Sequence, residues 1–287
     1  MMHYFYRKKI VITGGSSGIG LAVAKQLARN GADLCIIARH IPRLEMARRM
    51  IKQVCIQSDQ QVIAMPVDIT KPMHIRKCAE KVMEMWDRID VLINNAGMSH
   101  PGYLHKLPDH VWVNLIDNNY LGTVHTTLAF LPFFMKQKSG HIANIASVLG
   151  FMGIFGYSAY TASKFAVVGF SECLRQDLIP YNIDISVFYP PDTDTPLLHQ
   201  ENRIKPEETR LLSGNIKTLP ADKAAAALLK GIRRKQYTII PGFLTNLTYF
   251  LNRHVPGILR SLLDRELRGF YKKRGRFASG GGLHSMG

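Results

Sequence analysis

A buried strand that runs directly into a glycine-rich turn limits the possible folds of this chain more than any other feature. The strand is Ile10-Val11-Ile12, and a helical pattern follows the turn and continues to about Asn30. Glycines in such a turn let the backbone approach a pyrophosphate, and the helix N-terminus faces its negative charge. The order strand, turn, helix predicts a dinucleotide site, although the spacing T-G-x-x-x-G-x-G differs from G-x-G-x-x-G, and a plain tight turn is the alternative. The candidate cofactor residues in the turn are Gly14, Ser16, Ser17, Gly18, Ile19 and Gly20.

Further strand patterns alternate with helical patterns along the chain. They lie at residues 34–37, 62–67, 91–93, 141–146, 184–188 and 237–240. Seven strands separated by helices predict a single Rossmann-type α/β domain with a doubly wound, seven-stranded parallel sheet. We assign this domain to residues 1–242. A hydrophobic content of 46% is enough for a core of that size.

Two arginines follow the second strand, where a dinucleotide-binding fold meets the adenosine ribose. An acidic residue at this position binds the ribose 2′-hydroxyl, whereas arginine suits a 2′-phosphate. The chain has Arg39 and Arg43 here and no acid. This favours NADPH/NADP over NAD. The alternative is that both are solvated charges at the start of a helix.

Short polar or small residues follow the third and fourth strands. Asp68-Ile69 ends the third strand, and Asp68 can accept a hydrogen bond from an adenine amino group or cap the helix that begins near Pro72. Asn95, Ala96 and Gly97 end the fourth strand and leave room for a flat ring. We therefore add these residues to the candidate cofactor site.

Tyr160 and Lys164 stand four residues apart in a helical segment, so their side chains share one face of the helix. A nearby ammonium lowers the pKa of a phenol, which makes the pair a candidate proton donor; a plain surface helix carries the same spacing by chance. Ser147 follows the fifth strand, at the sheet edge where open α/β folds bind ligands. Asn118 and Asn119 lie within a predicted long helix at about residues 108–136, where buried asparagine is costly unless it is hydrogen-bonded.

These motifs together resemble the short-chain dehydrogenase/reductase family over about residues 8–242. The resemblance implies that Tyr160 donates a proton to a carbonyl oxygen, Lys164 lowers its pKa and contacts the nicotinamide ribose, and Ser147 holds the substrate oxygen. It implies that Asn119, three residues before Gly122, positions a water. It also implies that Pro190 and Thr195 contact the nicotinamide, although this chain has Pro190-Pro191 where the family usually has Pro-Gly.

The loop from Pro190 to Pro196, and the residues from Glu201 to Arg210 that follow it, resemble the 3-ketodihydrosphingosine reductases. That resemblance implies NADPH-dependent reduction of 3-ketodihydrosphingosine, a long-chain amino-ketone lipid, to dihydrosphingosine in sphingolipid biosynthesis. Our hypothesis at this point is that Asp192 or Asp194 binds the substrate ammonium. The alternative is that both carboxylates hold the loop. Residues 197–218 are polar and are expected to form a lid over the cleft.

Residues 243–287 form an apolar and basic C-terminal extension. From Leu228 to the end, 12 Lys/Arg stand against Asp264 and Glu266, out of a net charge of +16 for the whole chain. Such a segment suits peripheral contact with an anionic membrane, or a contact between subunits of a dimer or tetramer. We expect disorder from Gly269 onward. Nucleic-acid binding is not expected, because no recognition module accompanies the charge.

Other classes of function and location are constrained by what the sequence lacks. Two alternatives remain: a reductase of another hydrophobic ketone (steroid, retinoid or 3-ketoacyl), and a non-catalytic, membrane-associated dinucleotide-binding protein. No metal site is expected, and the four scattered cysteines suit reduced thiols. With no apolar leader and no long apolar run, we expect neither a signal peptide nor a transmembrane segment, and a cytoplasmic protein that contacts a membrane surface at most.

Overall fold

The computed structural model describes residues 2–214 and 218–275. Its strands are β1 Lys9–Thr13, β2 Asp33–Ala38, β3 Val62–Pro66, β4 Val91–Asn94, β5 Gly140–Ile145, β6 Ile183–Phe188, β7 Thr193–Asp194, β8 Leu219–Pro220 and β9 Thr238–Ile239. Its helices are α1 Met2–Phe5, α2 Gly18–Ala28, α3 Ile41–Lys52, α4 Pro72–Met85, α5 Asp109–Leu115, α6 Gly122–Gln137, α7 Ser158–Asp177, α8 Pro196–Ile204, α9 Glu207–Ser213, α10 Ala221–Arg233, α11 Phe243–His254 and α12 Pro256–Lys273.

The central sheet of the described residues has seven strands in the order β3-β2-β1-β4-β5-β6-β9, and every neighbouring pair is parallel. The predicted Rossmann-type sheet is therefore confirmed. The strand order reverses between β1 and β4, and ligands of such sheets bind outside the carboxyl ends at this switch point. A separate two-stranded pairing of β7 with β8, which the sequence did not indicate, fastens the loop after β6.

Alternate side chains of each strand enter the two hydrophobic layers. Ile10 and Ile12 pack in the layer covered by α2, α3 and α10, whereas Val11 packs in the layer covered by α4, α6 and α7. This alternation follows from the two-residue period of a strand, and both faces of a parallel sheet must be covered. The continuous apolar patterns in the sequence reflect burial on both faces.

The predicted long helix at 108–136 is interrupted. A π-helical turn at Ile116–Leu121 separates α5 from α6. Such turns are frequent at functional sites because they widen the helix locally. Here the turn carries Asn119, whose backbone oxygen accepts a hydrogen bond from the Thr123 hydroxyl at 2.8 Å.

The C-terminal helices α11 and α12 lie on the outside of the domain, and neither contains a buried residue. The Asn252 amide donates to the backbone oxygen of Phe151 at 2.7 Å, and the ring of Tyr249 packs against Phe151. The expected disorder from Gly269 is wrong as far as Lys273, because α12 continues to that residue. The rest of that prediction, from residue 276, lies outside the described residues.

The segment predicted to form a lid, residues 197–218, contains the two helices α8 and α9, and we refer to it as the lid; its residues 215–217 are not among those described. Among the described helices, none combines the length and the apolar character that crossing a membrane requires.

Candidate active site

A cleft of about 320 Å³ opens at the carboxyl ends of β1, β4 and β5, where the topology predicts a ligand. Most of the residues expected to bind a cofactor line it, and they are Gly14, Ser16, Ser17, Gly18, Ile19, Arg39, Arg43, Ile69, Asn95, Ala96, Gly97, Tyr160, Lys164, Pro190 and Thr195. Gly20 and Asp68 do not line the cleft. Asn118 also lines the cleft, together with residues that the motifs do not mark, among them His40, Val67, Met98 and Leu197.

The glycine turn is built for close backbone approach. Gly14 has φ of +66°, and a Cβ there would lie 2.8 Å from the Cα of Ala96. Gly18 has φ of +53°, and its Cβ would lie 3.1 Å from the Thr195 side chain. Both positions therefore require glycine, and the space that they leave suits a pyrophosphate at the start of α2.

Gly20 has a packing role in addition to the predicted one. A Cβ at Gly20 would lie 2.4 Å from the backbone oxygen of Gly14 and 2.5 Å from the Asn95 amide nitrogen. The residue thus lets the first turn of α2 pack against the turn that precedes it. Gly20 is not among the residues that line the cleft, and its direct contact with a cofactor stays a prediction.

Charged side chains lie where the adenosine end of a dinucleotide would bind. Arg39 directly follows β2, and Arg43 lies in the first turn of α3, where its backbone N–H is capped by His40 Nδ1 at 3.3 Å. Asp68 Oδ1 accepts from the backbone and hydroxyl of Thr70, and its Oδ2 lies 3.9 Å from Arg39 Nη1. Asp68 therefore closes the turn before α4, whose N-cap is Lys71.

The end of β4 is tied to the end of β1. The Thr13 hydroxyl accepts from the backbone N–H groups of Asn95 and Ala96, at 3.0 and 3.1 Å, and the Asn95 amide donates to the Thr13 carbonyl at 3.0 Å. Gly97, which follows these residues, lies between the Asn119 amide and the Lys164 ammonium. A Cβ at Gly97 would lie 3.1 Å from the Asn119 amide oxygen and 3.5 Å from Lys164 Nζ.

Lys164 is buried beneath Tyr160 on α7. Its Nζ donates to the backbone oxygen of Ile145 at 2.9 Å and lies 5.8 Å from the centre of the Tyr160 ring. Burial removes water from the ammonium and lowers the pKa of Lys164 to about 8. The two side chains share one face of the helix, as their spacing requires.

The pKa of Tyr160 is raised above its ordinary value, mainly by burial and then by the Glu201 carboxylate. A hydrogen bond from Ser147 acts in the opposite direction and is the weaker effect. Lys164, which we expected to lower this pKa, is not among the groups that shift it; desolvation and the Glu201 carboxylate are the two largest causes. Tyr160 is consequently a protonated phenol at neutral pH.

Ser147 follows β5 and lies beside Tyr160, and its hydroxyl accepts from the backbone N–H of Leu149 at 3.2 Å. Asn119 is almost fully buried, and its amide accepts from the backbone N–H of Met98 at 2.8 Å. It donates to the Met98 carbonyl at 2.9 Å and to the Ser163 hydroxyl at 2.8 Å. Asn119 thus lies behind the cleft, and Asn118 lines it.

The carboxylates after β6 already have partners in the lid segment. Asp194 Oδ1 lies 2.7 Å from His199 Nε2, and Asp192 Oδ2 lies 3.4 Å from Lys205 Nζ. Both contacts fit the alternative that these residues hold the loop. Thr195 caps α8 by accepting from the backbone N–H of Leu198 at 3.3 Å, which fixes its side chain in the cleft.

A buried acid that the sequence analysis did not assign to the site lies on the lid. Glu201 of α8 accepts a hydrogen bond from the Tyr157 hydroxyl, one turn before Tyr160 on α7. Lys205 Nζ lies 4.0 Å from the same carboxylate oxygen. Periodicity could not identify this contact, because 44 residues separate the two partners.

The order of these parts is shared with known proteins. A family model described as short chain dehydrogenase matches residues 8–205. The 3-ketodihydrosphingosine reductase of Bos taurus is 35% identical over 222 residues, which are 77% of this chain and 67% of the relative. The fatty acyl-CoA reductase of Acinetobacter baylyi is 34% identical over 259 residues, which are 89% of this chain and 83% of the relative. A short-chain dehydrogenase from Sphingobium yanoikuyae, solved in complex with NADPH, superposes with a TM-score of 0.72 at 29% identity and covers 92% of this chain and 95% of its own.

Proposed function

Because the chain belongs to the short-chain dehydrogenase family and is an oxidoreductase, we propose that it uses NADPH to reduce 3-ketodihydrosphingosine to dihydrosphingosine. The family resemblance expected from the motifs is confirmed, and the non-catalytic alternative is set aside. The observation that carries the proposal is that Tyr160 and Lys164 line the same cleft as Arg39 and Arg43, with Ser147 hydrogen-bonded to Tyr160.

The chain's own residues fit a nicotinamide dinucleotide. The glycine turn leaves space for the pyrophosphate, and two guanidinium groups with no acid beside the ribose position favour a 2′-phosphate. The buried Lys164 ammonium lies next to Gly97, where it would contact the nicotinamide end of the dinucleotide. When bound, NADPH supplies the hydride that arrives at the carbonyl carbon.

The proton comes from the protein. Tyr160 is protonated at neutral pH, which is the form that can donate to the carbonyl oxygen as negative charge develops on it. The Ser147 hydroxyl, hydrogen-bonded to the same phenol, is placed to hold that oxygen. Lys164 would hold the nicotinamide ribose, and Asn119 braces the Met98 segment behind it.

Long-chain lipid carbonyl compounds are the substrate class that the named relatives share. The Bos taurus relative is named for a long-chain amino ketone, which supports 3-ketodihydrosphingosine as the first candidate. The Acinetobacter baylyi relative covers a larger share of this chain and supports a fatty acyl thioester as the second. Both candidate substrates carry a polar reacting group at the head of an alkyl chain.

Steady-state oxidation of NADPH tests the proposal. The panel comprises 3-ketodihydrosphingosine, a fatty acyl-CoA, a 3-ketoacyl thioester and a ketosteroid, each repeated with NADH. The proposal expects the highest kcat/KM for 3-ketodihydrosphingosine with NADPH. Higher kcat/KM for the acyl-CoA would select the second candidate, and turnover of the steroid alone would reject both.

The C-terminal helices support a peripheral contact with anionic lipid. Phe243, Leu247 and Phe250 are exposed on one face of α11, opposite the face that carries Tyr249 and Asn252. Within residues 243–275, seven Lys/Arg stand against two acids, a net charge of +5. Apolar insertion next to cationic side chains is how interfacial helices bind such surfaces.

Vesicle co-sedimentation tests this contact without removing α11. Phe243→Ser with Leu247→Ser should weaken binding to phosphatidylserine vesicles, whereas Ile41→Ser with Ile179→Ser, at equally exposed positions elsewhere, should not. Equal binding by both variants would contradict the contact.

Association into a dimer or tetramer remains part of the proposal. Val113, Leu128 and Phe165 are exposed apolar side chains on the neighbouring helices α5, α6 and α7. Such a surface suits a second copy of the chain. Light scattering of the intact chain and of Phe165→Glu tests it, because the charge should dissociate the assembly.

A further inference from the structure

Glu201 is a carboxylate buried on the inner side of the lid. Glu201 is 8% exposed, and its neighbours Tyr157 and Lys205 are 3% and 7% exposed. A carboxylate in such a place is costly unless it is hydrogen-bonded and paired with a charge. Tyr157 supplies the hydrogen bond and Lys205 the charge, at 4.0 Å.

This contact joins the lid to the helix of the proton donor. Tyr157 is the N-cap residue of α7, three residues before Tyr160, and their ring centres are 5.9 Å apart. Lys205 Nζ lies 5.8 Å above the Tyr157 ring and 3.4 Å from Asp192, so that the loop after β6 joins the same network. The loop after β6 and the lid helix α8, which follow one another in the chain, thus meet the start of α7 beside Tyr160.

We infer that Glu201 is a positioning residue for the proposed carbonyl reduction: from the lid it fixes Tyr157 and holds negative charge beside Tyr160, which keeps the phenol in its proton-donating form. The inference rests on the proposed function. It concerns a residue that acts through Tyr160 rather than one that touches the substrate.

The charged and polar groups that face Tyr160 come from four segments. They are Lys164 on the same helix, Ser147 after β5, Asp192 after β6 and Glu201 on α8, with Lys205 next to the two acids. Of the two acids, Glu201 has the larger effect in raising the pKa of the phenol. Its own pKa is also raised by burial, with Tyr157 and Lys205 opposing that change.

Removal of the Glu201 charge and removal of the Lys205 charge should move the pKa of Tyr160 in opposite directions. Glu201→Gln removes the negative charge and leaves Lys205 less compensated, so the pKa should fall. Lys205→Met removes the positive charge from between two acids, so the pKa should rise. Because reduction needs the protonated phenol, the alkaline limb of kcat/KM should shift to lower pH in the first variant, by about one pH unit, and to higher pH in the second.

The matched control is Glu207→Gln. Glu207 lies on the neighbouring lid helix α9 and is ion-paired with Arg274, away from Tyr160. The control should retain the wild-type pH profile. Glu201→Asp, which retains the charge, should restore most of the profile that Glu201→Gln loses.

A titration without substrate separates this inference from the proposed function. The near-ultraviolet absorbance of phenolate is followed against pH in each protein, and the curve of the same protein with Tyr160→Phe is subtracted. Opposite shifts for Glu201→Gln and Lys205→Met support the inference even if no ketone is turned over. An unchanged Tyr160 titration in both variants, or an equal shift in Glu207→Gln, overturns it. If Glu201→Gln does not fold, the Lys205→Met shift alone decides.

Discussion

The ammonium of Lys164 donates to the backbone oxygen of Ile145 at 2.9 Å, two residues before Ser147. This bond ties α7 to the end of β5 and holds the amine where water is largely excluded. The hydrogen bond satisfies one of the three ammonium donors, and burial still lowers the pKa to about 8. The position of this lysine therefore has a cost in stability that depends on pH.

The first prediction concerns that cost. Between pH 8 and the ordinary lysine value of 10.5, the unfolded chain binds more protons than the folded one at this site, so its contribution to stability rises with pH. The penalty is present in full below pH 8. Lys164→Met removes it, so the stability of the variant relative to the wild type should fall by about 3 kcal/mol as the pH rises from 7 to 10.5.

Urea unfolding at several pH values measures this difference. Lys77→Met, at an exposed lysine of α4, is the control and should differ from the wild type by a constant amount. A Lys164→Met difference that does not change between pH 7 and 10 would contradict the burial of a titrating ammonium.

The second prediction concerns the proton donor. Tyr160→Phe removes the phenol oxygen but leaves the ring in place, so kcat should fall by about 10²–10⁴-fold, whereas the Kd for NADPH should change little. Tyr181→Phe, beyond the end of α7, should retain wild-type kcat. Turnover by Tyr160→Phe within twofold of the wild type would mean that another group donates the proton.

The third prediction concerns the choice of cofactor. Arg39→Ala and Arg43→Ala each remove a cation from the adenosine end of the cleft. A charge-assisted hydrogen bond contributes about 1.5–3 kcal/mol, so kcat/KM with NADPH should fall by about 10- to 150-fold while that with NADH changes little. Arg48→Ala, further along α3 and paired with Glu45, is the control. Equal losses with both cofactors would show that neither arginine reads a 2′-phosphate.

The fourth prediction concerns the glycine turn. Gly14→Ala forces a Cβ to within 2.8 Å of the Ala96 backbone at a positive φ. It should destabilise the fold by about 1–2 kcal/mol and weaken NADPH binding by more than about tenfold. Gly169→Ala, on α7 with no atom within 4 Å of the added Cβ, should instead stabilise it slightly. Calorimetric titration with NADPH and thermal unfolding measure both effects in each variant. Equal effects of the two substitutions would contradict this account.

Local sequence patterns were sufficient for most of the fold. The strand at Ile10–Ile12 and the turn after it specify the nucleotide end of the sheet, because both strand period and glycine spacing are local properties. The position of Ser147 after β5 followed from the same topology. By contrast, the π turn carries Asn119, whose amide donates to Met98 and Ser163, and no period reveals these contacts.

Side-chain environments were the part that sequence could not give. Asp68 closes the turn before α4, and Gly20 lets the first turn of α2 pack against the glycine turn. The motifs alone left the role of Asp68 open and did not indicate the packing role of Gly20. The pKa of Tyr160 is raised first by burial and then by Glu201, which approaches from the lid through tertiary contact. A motif identifies which residues meet, whereas their charge states depend on burial and on partners distant in sequence.

Transfer of deuterium from NADPH labelled at the reactive carbon of the nicotinamide is the most direct test of the central claim. The enzyme is incubated with labelled NADPH and 3-ketodihydrosphingosine, and the lipid product is analysed by mass spectrometry. The account predicts dihydrosphingosine with one deuterium on the carbon that carried the ketone, at a rate that Tyr160→Phe reduces by about 10²-fold or more. Unlabelled lipid in this reaction, together with labelled product from a fatty acyl-CoA, would contradict it.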